Sequence, residues 1–290
     1  MPVNDEFGKR MKMFYEQIPK TKLMRRTPVA IRIDGKAFHS FTRGFKKPFD
    51  DVLIQSMEDT MQYLCENIQG VVIGYHQSDE ITLILQDYKR FNTSAWFDYE
   101  VQKLCSISAS MATMAFNKFF SCNVEQWRID NKLDLANVPL DKKELTDQYI
   151  VYNNAIDKGA MFDSRCFNIP KEEVANLIYW RQLDATRNSI QMVGQANFSQ
   201  KQLQNKSCNE IQDMLMAQKG INWNNFPVYQ KRGSCCIKET YTNVETTYKD
   251  LTHTEFVTTT RTRWIIDLNI PIFKEENRNY IEKLINCEEE

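Results

Sequence analysis

Residues 29–41 read VAIRIDGKAFHSF, and this stretch decides the fold. Apolar side chains at alternate positions predict a β-strand, because successive side chains of a strand point to opposite faces of its sheet. One face would carry Val29, Ile31 and Ile33, and the other Ala30, Arg32 and Asp34. A strand that only filled a core would not need Arg32 and Asp34. The face that bears them is therefore predicted to be the functional one.

The segments that follow predict the order β-α-β-β-α-β. Helical spacing is seen at Leu53, Met57, Met61, Leu64 and Ile68, with Asp50 or Asp51 as the N-cap. VVIGY and ITLIL are strand-forming runs, and the HQSDE between them is typical of a hairpin. A long helix is predicted at about 96–120 and a further strand at 162–169. This order indicates an α+β fold of the ferredoxin-like type, with an antiparallel sheet and packed helices.

Charge and cysteine content narrow the class of function. The formal net charge is −1, yet residues 9–47 hold twelve Lys or Arg and only two acidic residues, Glu16 and Asp34. Such a basic arm is typical of a phosphate-binding surface, and the alternative is a solvated charge run near a terminus. The eight cysteines form no CxxC pair and only three histidines are present, which argues against a zinc site.

Two carboxylates are expected to meet at one edge of the sheet. Asp34 ends the first strand and Asp79 lies in the hairpin, which can neighbour that strand in a ferredoxin-like sheet. Adjacent carboxylates repel unless a cation lies between them, and Mg²⁺ is commonly bound by one or two carboxylates together with substrate phosphates. Gly35 would let the backbone approach a phosphate closely. Ordinary turn chemistry is the competing interpretation of both motifs.

The residues of these motifs also carry a family resemblance. RIDGKAFHSF, KKPFDD and GYHQSDE resemble signature blocks of the tRNA-His guanylyltransferase superfamily. AWFDYEVQK, MFDSRCFNIP, YWRQLDATRNS and VYQKRGS continue the resemblance in the same order, over roughly residues 5–238. It implies a polymerase palm-type fold and an enzyme that adds nucleotides to tRNA in the 3′-to-5′ direction. Such an enzyme first activates the 5′ end with ATP or GTP, and the 3′-hydroxyl of an incoming NTP then attacks that end.

The resemblance assigns roles to individual positions. It implies catalytic roles for Asp34, Asp79 and Glu80, and two Mg²⁺ ions bound by Asp34, Asp79 and the Gly35 carbonyl. The implied nucleotide-binding positions are Asp34, Gly35, Lys36, Ala37, Phe38, His39, Lys47, Ser78 and Asp79. Contacts to tRNA or to the triphosphate are implied for Arg32, Lys103, Arg165 and Asn188.

One departure from the family pattern bears on the substrate. Eukaryotic tRNA-His guanylyltransferases carry a His-Ile-Asn-Asn block where this chain has Thr186, Arg187, Asn188 and Ser189. The departure favours the Thg1-like branch, whose members repair 5′-truncated tRNAs by template-dependent addition. Addition of G at position −1 of tRNA-His is the alternative within the enzyme class. A palm-like protein that only binds RNA is the alternative outside that class.

The resemblance and the composition together predict the organisation of the chain. Residues 1–170 would form a palm-like catalytic domain with the basic arm, residues 171–238 a helical region, and residues 239–290 an additional C-terminal α/β region of unassigned role. Relatives are commonly tetrameric, so a homo-oligomer, either a tetramer or a dimer, is expected. No signal peptide or membrane-spanning run is recognisable, which predicts a cytoplasmic protein without a membrane partner.

Overall fold

The computed structural model describes residues 6–134, 142–248 and 254–286. The strands are β1 (Val29–Gly35), β2 (Val71–Gln77), β3 (Glu80–Leu85), β4 (Phe162–Asn168), β5 (Ser234–Tyr248) and β6 (Thr254–Asp267). The α-helices are α1 (Glu6–Met11), α2 (Phe38–Phe41), α3 (Asp51–Asn67), α4 (Val101–Asp130), α5 (Lys143–Lys158), α6 (Lys171–Asn197), α7 (Gln200–Leu203), α8 (Cys208–Lys219), α9 (Val228–Arg232) and α10 (Asn279–Ile285). A π-helical turn (Lys12–Glu16) and three 3₁₀ turns (Trp96–Tyr99, Trp223–Asn225 and Glu275–Arg278) complete the described elements.

The strands form one six-stranded antiparallel sheet in the order β4-β1-β3-β2-β5-β6. The first four strands have the ferredoxin-like arrangement, which confirms the predicted fold class. Within it, β1 lies between β3 and β4, and its residues pair with both neighbours. Asp34 stands opposite Glu80 of β3 and Asp163 of β4, whereas Arg32 stands opposite Thr82 and Arg165. Directly opposed residues lie on the same face of the sheet. Asp34 and Arg32 are therefore flanked by polar side chains of β3 and β4.

The two faces of the sheet bury different cores. Val29, Ile31 and Ile33 lie in a large cluster with the apolar residues of α3 and α4, and each of them is fully buried. Ala30, on the other face, lies in a second cluster with residues of α6 and α10. The alternation in β1 therefore separates the cores as the sequence predicted. Fully burying an Ile or Val side chain contributes about 1.5–3 kcal/mol, which fixes the register of β1 and hence the face of Asp34.

The long helix α4 begins later than predicted. The sequence predicted a helix at about 96–120, but a 3₁₀ turn occupies Trp96–Tyr99 and α4 runs from Val101 to Asp130. Phe97, Asp98 and Tyr99 have φ values of 48°, 52° and 55°, so the backbone there is left-handed and cannot continue into a right-handed helix. The sequence also did not predict α5, which lies between α4 and β4.

The C-terminal strands extend the same sheet. β5 pairs with β2 through residues 234–237 and then with β6 along its whole length. The predicted boundary between residues 238 and 239 therefore falls inside β5. Helices α6 and α8 enclose a third, smaller core that contains Val193, Leu215 and Trp223. Among the described residues, no helix is long and apolar enough to span a membrane.

Candidate active site

The carboxylates of Asp34 and Asp79 are brought together by β1 and the β2–β3 turn. Asp34 is the cross-strand partner of Glu80, the residue that follows Asp79. The Gly35 amide donates to the Asp79 carbonyl at 3.1 Å, which ties the end of β1 to the turn. Ser78, in a left-handed conformation at φ 53°, donates from Oγ to Asp79 Oδ1 at 2.9 Å. The structure thus places the two predicted ligands on adjacent segments.

The charge balance at this point favours a cation. Burial raises the pKa of Asp34, and the charges of Glu80 and Asp163 raise it further, against the opposing effect of Arg165 and Arg32. Burial likewise raises the pKa of Asp79, and the charge of Asp34 contributes in the same direction. A bound cation would reverse these shifts, since it stabilises the ionised carboxylates.

The donor set fits magnesium when a phosphate is present. Within the described ranges, no cluster of three or more His, Cys, Asp or Glu side chains is arranged to hold a metal ion. Magnesium, however, is usually bound by one or two carboxylates plus substrate phosphates and water. Asp34, Asp79 and the nearby Gly35 carbonyl offer only hard oxygen donors of that kind. A metal held jointly with a nucleotide is compatible with these residues.

Glu80 has a different environment from the two aspartates. Its Oε2 accepts hydrogen bonds from Arg32 Nη2 and from Arg181 Nη2, both at 2.8 Å. Arg32 Nε also donates to Oε1 at 3.2 Å, and Arg181 Nε lies 2.7 Å from the same atom. The Glu80 side chain is only 7% exposed. Both carboxylate oxygens of Glu80 are therefore engaged by the guanidinium groups of Arg32 and Arg181.

The segment after Asp34 forms the predicted nucleotide loop only in part. The amides of Gly35 and Lys36 already donate to the carbonyls of Asp79 and Met161. The next three residues, Ala37, Phe38 and His39, lead into or begin α2, where the first N–H groups have no acceptor within the helix. The predicted cradle of amides from 35 to 39 is therefore reduced to residues 37–39.

Phe38 belongs to the core rather than to the open surface of this loop. Its ring is buried and contacts the rings of Phe41, Phe116 and Phe162 at centroid distances of 5.1–5.5 Å. A Cβ at Gly35 would lie 2.7 Å from Phe38 Cγ, so the ring fills the space that a side chain at position 35 would need. The glycine is required here by packing, whether or not a phosphate approaches it. Lys36, Ala37 and His39 remain exposed.

The predicted basic contacts fall into two groups. Arg32 and Arg165 lie beside the carboxylates, and Arg165 Nη2 is 3.9 Å from Asp34 Oδ2 and 3.1 Å from Asp163 Oδ1. Lys47 is exposed in the loop before α3, and Asn188 is partly exposed on α6. Lys103 lies on α4, with its Nζ 5.6 Å from the centre of the Phe97 ring. Within the part of the chain that the structure describes, Arg165 contacts Asp34 and Arg32 contacts Glu80, whereas no contact joins Lys47, Lys103 or Asn188 to these carboxylates.

A narrow cleft of about 80 Å³ adjoins the hairpin turn on the β2 side. Its walls come from α3, α6 and α9, and it is lined by residues that include Phe49, Asp50, Ser78, Ser189, Tyr229 and Arg232. Asp50 is also the N-cap of α3, since its Oδ1 accepts from the Leu53 amide at 3.0 Å. A larger groove of about 870 Å³ lies between α6, α7 and α8 and is lined by none of the candidate site residues.

A sequence model of the family described as "Thg1: tRNAHis guanylyltransferase" matches residues 8–170, more than half of the chain. The chain belongs to this family.

Solved structures resemble this Thg1-family protein over nearly its whole length. A bacterial tRNA(His) guanylyltransferase (Thg1)-like protein in complex with ATP is 39% identical, covers 97% of this chain and 100% of its own, and has a TM-score of 0.74. The same kind of bacterial protein in complex with GTP is 36% identical, covers 97% and 99%, and has a TM-score of 0.70. The match extends beyond residue 238, where the sequence motifs had ended, so the C-terminal strands are part of the shared fold.

Curated relatives come from a virus and from eukaryotes. An uncharacterised protein of Acanthamoeba polyphaga mimivirus is 29% identical over 82% of this chain and 78% of its own length. The tRNA(His) guanylyltransferase of Saccharomyces cerevisiae is 26% identical over 73% of this chain and 82% of its own length. The yeast crystal structure, at 22% identity and a TM-score of 0.57, supports the fold alone.

Two residues of this candidate site, Arg181 and Asp163, were not predicted from the sequence. Arg181 was overlooked because an arginine on a helix is usually solvated, yet its side chain is only 6% exposed. Its spacing to Asp184, three residues further on, was the available signal, since such pairs meet on one helix face. The two side chains are 2.9 Å apart. Asp163 was overlooked as well, although it directly precedes Ser164 and Arg165 in one of the signature blocks.

Proposed function

We propose that this protein is a magnesium-dependent nucleotidyltransferase that extends the 5′ end of tRNA in the 3′-to-5′ direction and repairs 5′-truncated tRNAs by template-dependent addition. The observation that carries the proposal is the pair of carboxylates, Asp34 and Asp79, at the end of β1 and in the adjoining turn of a Thg1-family fold. Family membership makes tRNA and nucleoside triphosphates the expected partners.

The residues of the site suit phosphoryl chemistry without a protein nucleophile. Asp34, Asp79 and the Gly35 carbonyl would hold two magnesium ions, which, when bound, would neutralise charge on the phosphates and activate the attacking oxygen. The amides of residues 37–39 and the exposed side chain of Lys36, which follow β1 directly, would bind a triphosphate, and Lys47, in the loop before α3, would add positive charge. Arg165 on β4 supplies positive charge beside Asp34, where an RNA 5′-phosphate would be stabilised, and Arg32 on β1 adds to it from its position against Glu80.

Both stages of the proposed reaction place the same demand on these residues. In the first, a 5′-monophosphate attacks ATP or GTP and pyrophosphate leaves. In the second, the 3′-hydroxyl of an incoming NTP attacks the activated 5′ end and the activating nucleotide leaves. Negative charge develops on phosphoryl oxygens each time, and one set of cationic groups can serve both stages. The bacterial Thg1-like relative has been solved with ATP and with GTP, which supports a site that accepts both nucleotides.

Repair is favoured over addition of G to tRNA-His by the region of α6 after Asp184. In place of the eukaryotic block the chain has Thr186 to Ser189, and Ser189 is buried, with its Oγ accepting from Trp223 Nε1 at 3.0 Å. Ser189 therefore packs inside the protein against Trp223. The higher identity to the bacterial Thg1-like protein supports the same choice, whereas the names of the eukaryotic relatives fit G addition. We also expect a homo-oligomer, a dimer or a tetramer.

The proposal is tested by nucleotide addition to a 5′-monophosphorylated tRNA that lacks its first nucleotide. With Mg²⁺, ATP and labelled NTPs, the wild type should extend this tRNA, whereas Asp34→Asn and Asp79→Asn should lose at least a thousandfold in rate. The matched control is Asp147→Asn, an exposed aspartate of α5, which should keep wild-type activity. Full activity of either site variant would overturn the site assignment, and an inactive wild type would favour a protein that only binds RNA.

A further inference from the structure

One large aromatic side chain beside the carboxylates remains open to solvent. Trp180 lies on α6 and is 50% exposed. The Cζ atom of Arg181 is 4.5 Å from the centre of its ring, and that of Arg32 is 5.3 Å away. Both guanidinium groups are themselves fixed by Glu80. The indole is therefore held by two anchored cations while half of its surface stays available.

The contacts of Trp180 relate it to Arg32 on β1 and, through Arg32, to the neighbouring Arg165 on β4. Arg32, which its ring contacts, is the cross-strand partner of Arg165, and Arg165 lies within 3.9 Å of Asp34. The cleft beside Ser78 lies on the other side of the carboxylates, toward β2 and α9. Trp180, Arg32 and Arg165 are not among the residues that line this cleft, so Trp180 is associated with the two arginines rather than with the cleft.

The surroundings of Trp180 are polar and cationic, which distinguishes it from an ordinary apolar contact surface. Along α6, the residue one turn later is Asp184 and the residue two turns later is Arg187, which is paired with Asp184 and 59% exposed. The indole is thus an aromatic platform in contact with Arg32 and Arg181, while Arg165 lies across the strand pair from Arg32 and Arg187 lies two turns further along α6. Platforms of this composition bind nucleic acids, because a base stacks on the ring while phosphates meet the guanidinium groups.

We propose that Trp180 stacks on the 5′-terminal base of the RNA substrate while Arg165 meets the 5′-phosphate of that nucleotide. The inference rests on the proposed function, and it identifies the 5′-terminal nucleotide as the part of the RNA that Trp180 and Arg165 bind. The end of an RNA stem exposes one face of its last base pair, and a flat indole can cover that face. Stacking tolerates any base, which suits an enzyme that repairs tRNAs with different ends. The incoming nucleotide would instead be bound by the amides of residues 37–39 together with Asp34 and Asp79.

A mutant cycle between the side chain and the base tests the inference. Trp180→Leu keeps an apolar side chain but removes the ring system, and Trp180→Phe keeps a ring that can stack. Binding of a truncated, 5′-phosphorylated tRNA should weaken about tenfold in Trp180→Leu and less than threefold in Trp180→Phe. A matched tRNA whose 5′-terminal nucleotide is abasic should bind the wild type and Trp180→Leu equally. The KM for ATP should not change.

Each alternative has a distinct outcome in this cycle. If Trp180 only supports Arg32 and Arg181, Trp180→Leu weakens intact and abasic tRNA by the same factor, and the stacking inference is wrong. If the ring stacks on the nucleotide substrate, the KM for ATP rises instead, which also contradicts it. Phe91→Leu removes another aromatic side chain, which is 95% exposed, and it should change neither tRNA binding nor the KM for ATP. Because tRNA binding is measured without turnover, an inactive wild type would defeat the proposed function, while the comparison of intact with abasic tRNA would still decide the stacking.

Discussion

Arg32 and Glu80 are joined by two hydrogen bonds across neighbouring strands, from Nη2 to Oε2 at 2.8 Å and from Nε to Oε1 at 3.2 Å. Arg181 reaches the same carboxylate from α6. A single buried carboxylate is thus shared by two guanidinium groups next to Asp34, the cross-strand partner of Glu80. We propose that Glu80 positions Arg32 and Arg181 rather than holding metal, and this role has measurable consequences.

Removing the Glu80 carboxylate should destabilise the fold. Glu80→Ala leaves two poorly solvated guanidinium groups without their shared acid, and breaking a buried pair on one side costs about 3–5 kcal/mol. We expect the free energy of unfolding in urea to fall by about 3 kcal/mol. Asp34→Ala should not lower it, because burial and nearby acids already oppose ionisation of Asp34. Equal stability of the two variants would contradict the positioning role.

Gly35→Ala should disturb the loop through Phe38. The added methyl group would overlap the Phe38 ring, and overpacking of this kind costs about 1–3 kcal/mol. We expect lower stability and a higher KM for ATP, because the displaced ring belongs to the first turn of α2. The double variant Gly35→Ala/Phe38→Leu, with its smaller side chain, should recover part of both losses. If it recovers neither, the glycine is required for a reason other than this contact.

The sequence predicted most of the sheet because β1 and the hairpin have unambiguous alternation and turn residues. It also predicted the meeting of Asp34 and Asp79, since both lie at the ends of strands that are neighbours in this fold. It missed the pairing of Glu80 with Arg181, which are 101 residues apart, because long-range charge pairs leave no local pattern. The late start of α4 was not predicted because the sequence WFDY at 96–99 contains no glycine, which would favour the left-handed backbone that Phe97, Asp98 and Tyr99 adopt.

Glu58 should make stability depend on pH. It lies on α3 and is 5% exposed, its Oε1 has no hydrogen-bond partner among the described residues, and burial raises its pKa to about 7. A carboxyl whose folded pKa exceeds its unfolded value of about 4.3 stabilises the fold below that value. This contribution is lost as pH rises through about 7.

Glu58→Gln isolates this effect from the other titrating groups. Its free energy of unfolding minus that of the wild type should grow by about 2–3 kcal/mol between pH 4.5 and pH 8. Urea unfolding at a series of pH values measures this difference directly. The subtraction removes the opposite trend of His76, whose pKa burial lowers to about 4. A difference independent of pH would show that Glu58 titrates normally.

Arg165 should contribute electrostatic binding energy for RNA. It is about half exposed and lies between Asp34 and Asp163. Arg165→Ala should weaken tRNA binding and lower the salt dependence of the binding constant by about one phosphate contact. Asp163→Asn should strengthen binding, because it removes an acid that competes for the same guanidinium group. An unchanged salt slope in Arg165→Ala would place the RNA 5′-phosphate elsewhere.

The central claim is tested most directly by offering the purified protein two substrates with Mg²⁺, ATP and labelled NTPs. One is full-length, 5′-monophosphorylated tRNA-His, and the other is a tRNA that lacks its first nucleotide. The account predicts preferential extension of the truncated tRNA with the nucleotide that pairs with its template base, and loss of that extension in Asp34→Asn and Asp79→Asn. Addition of G to full-length tRNA-His alone would contradict the repair function.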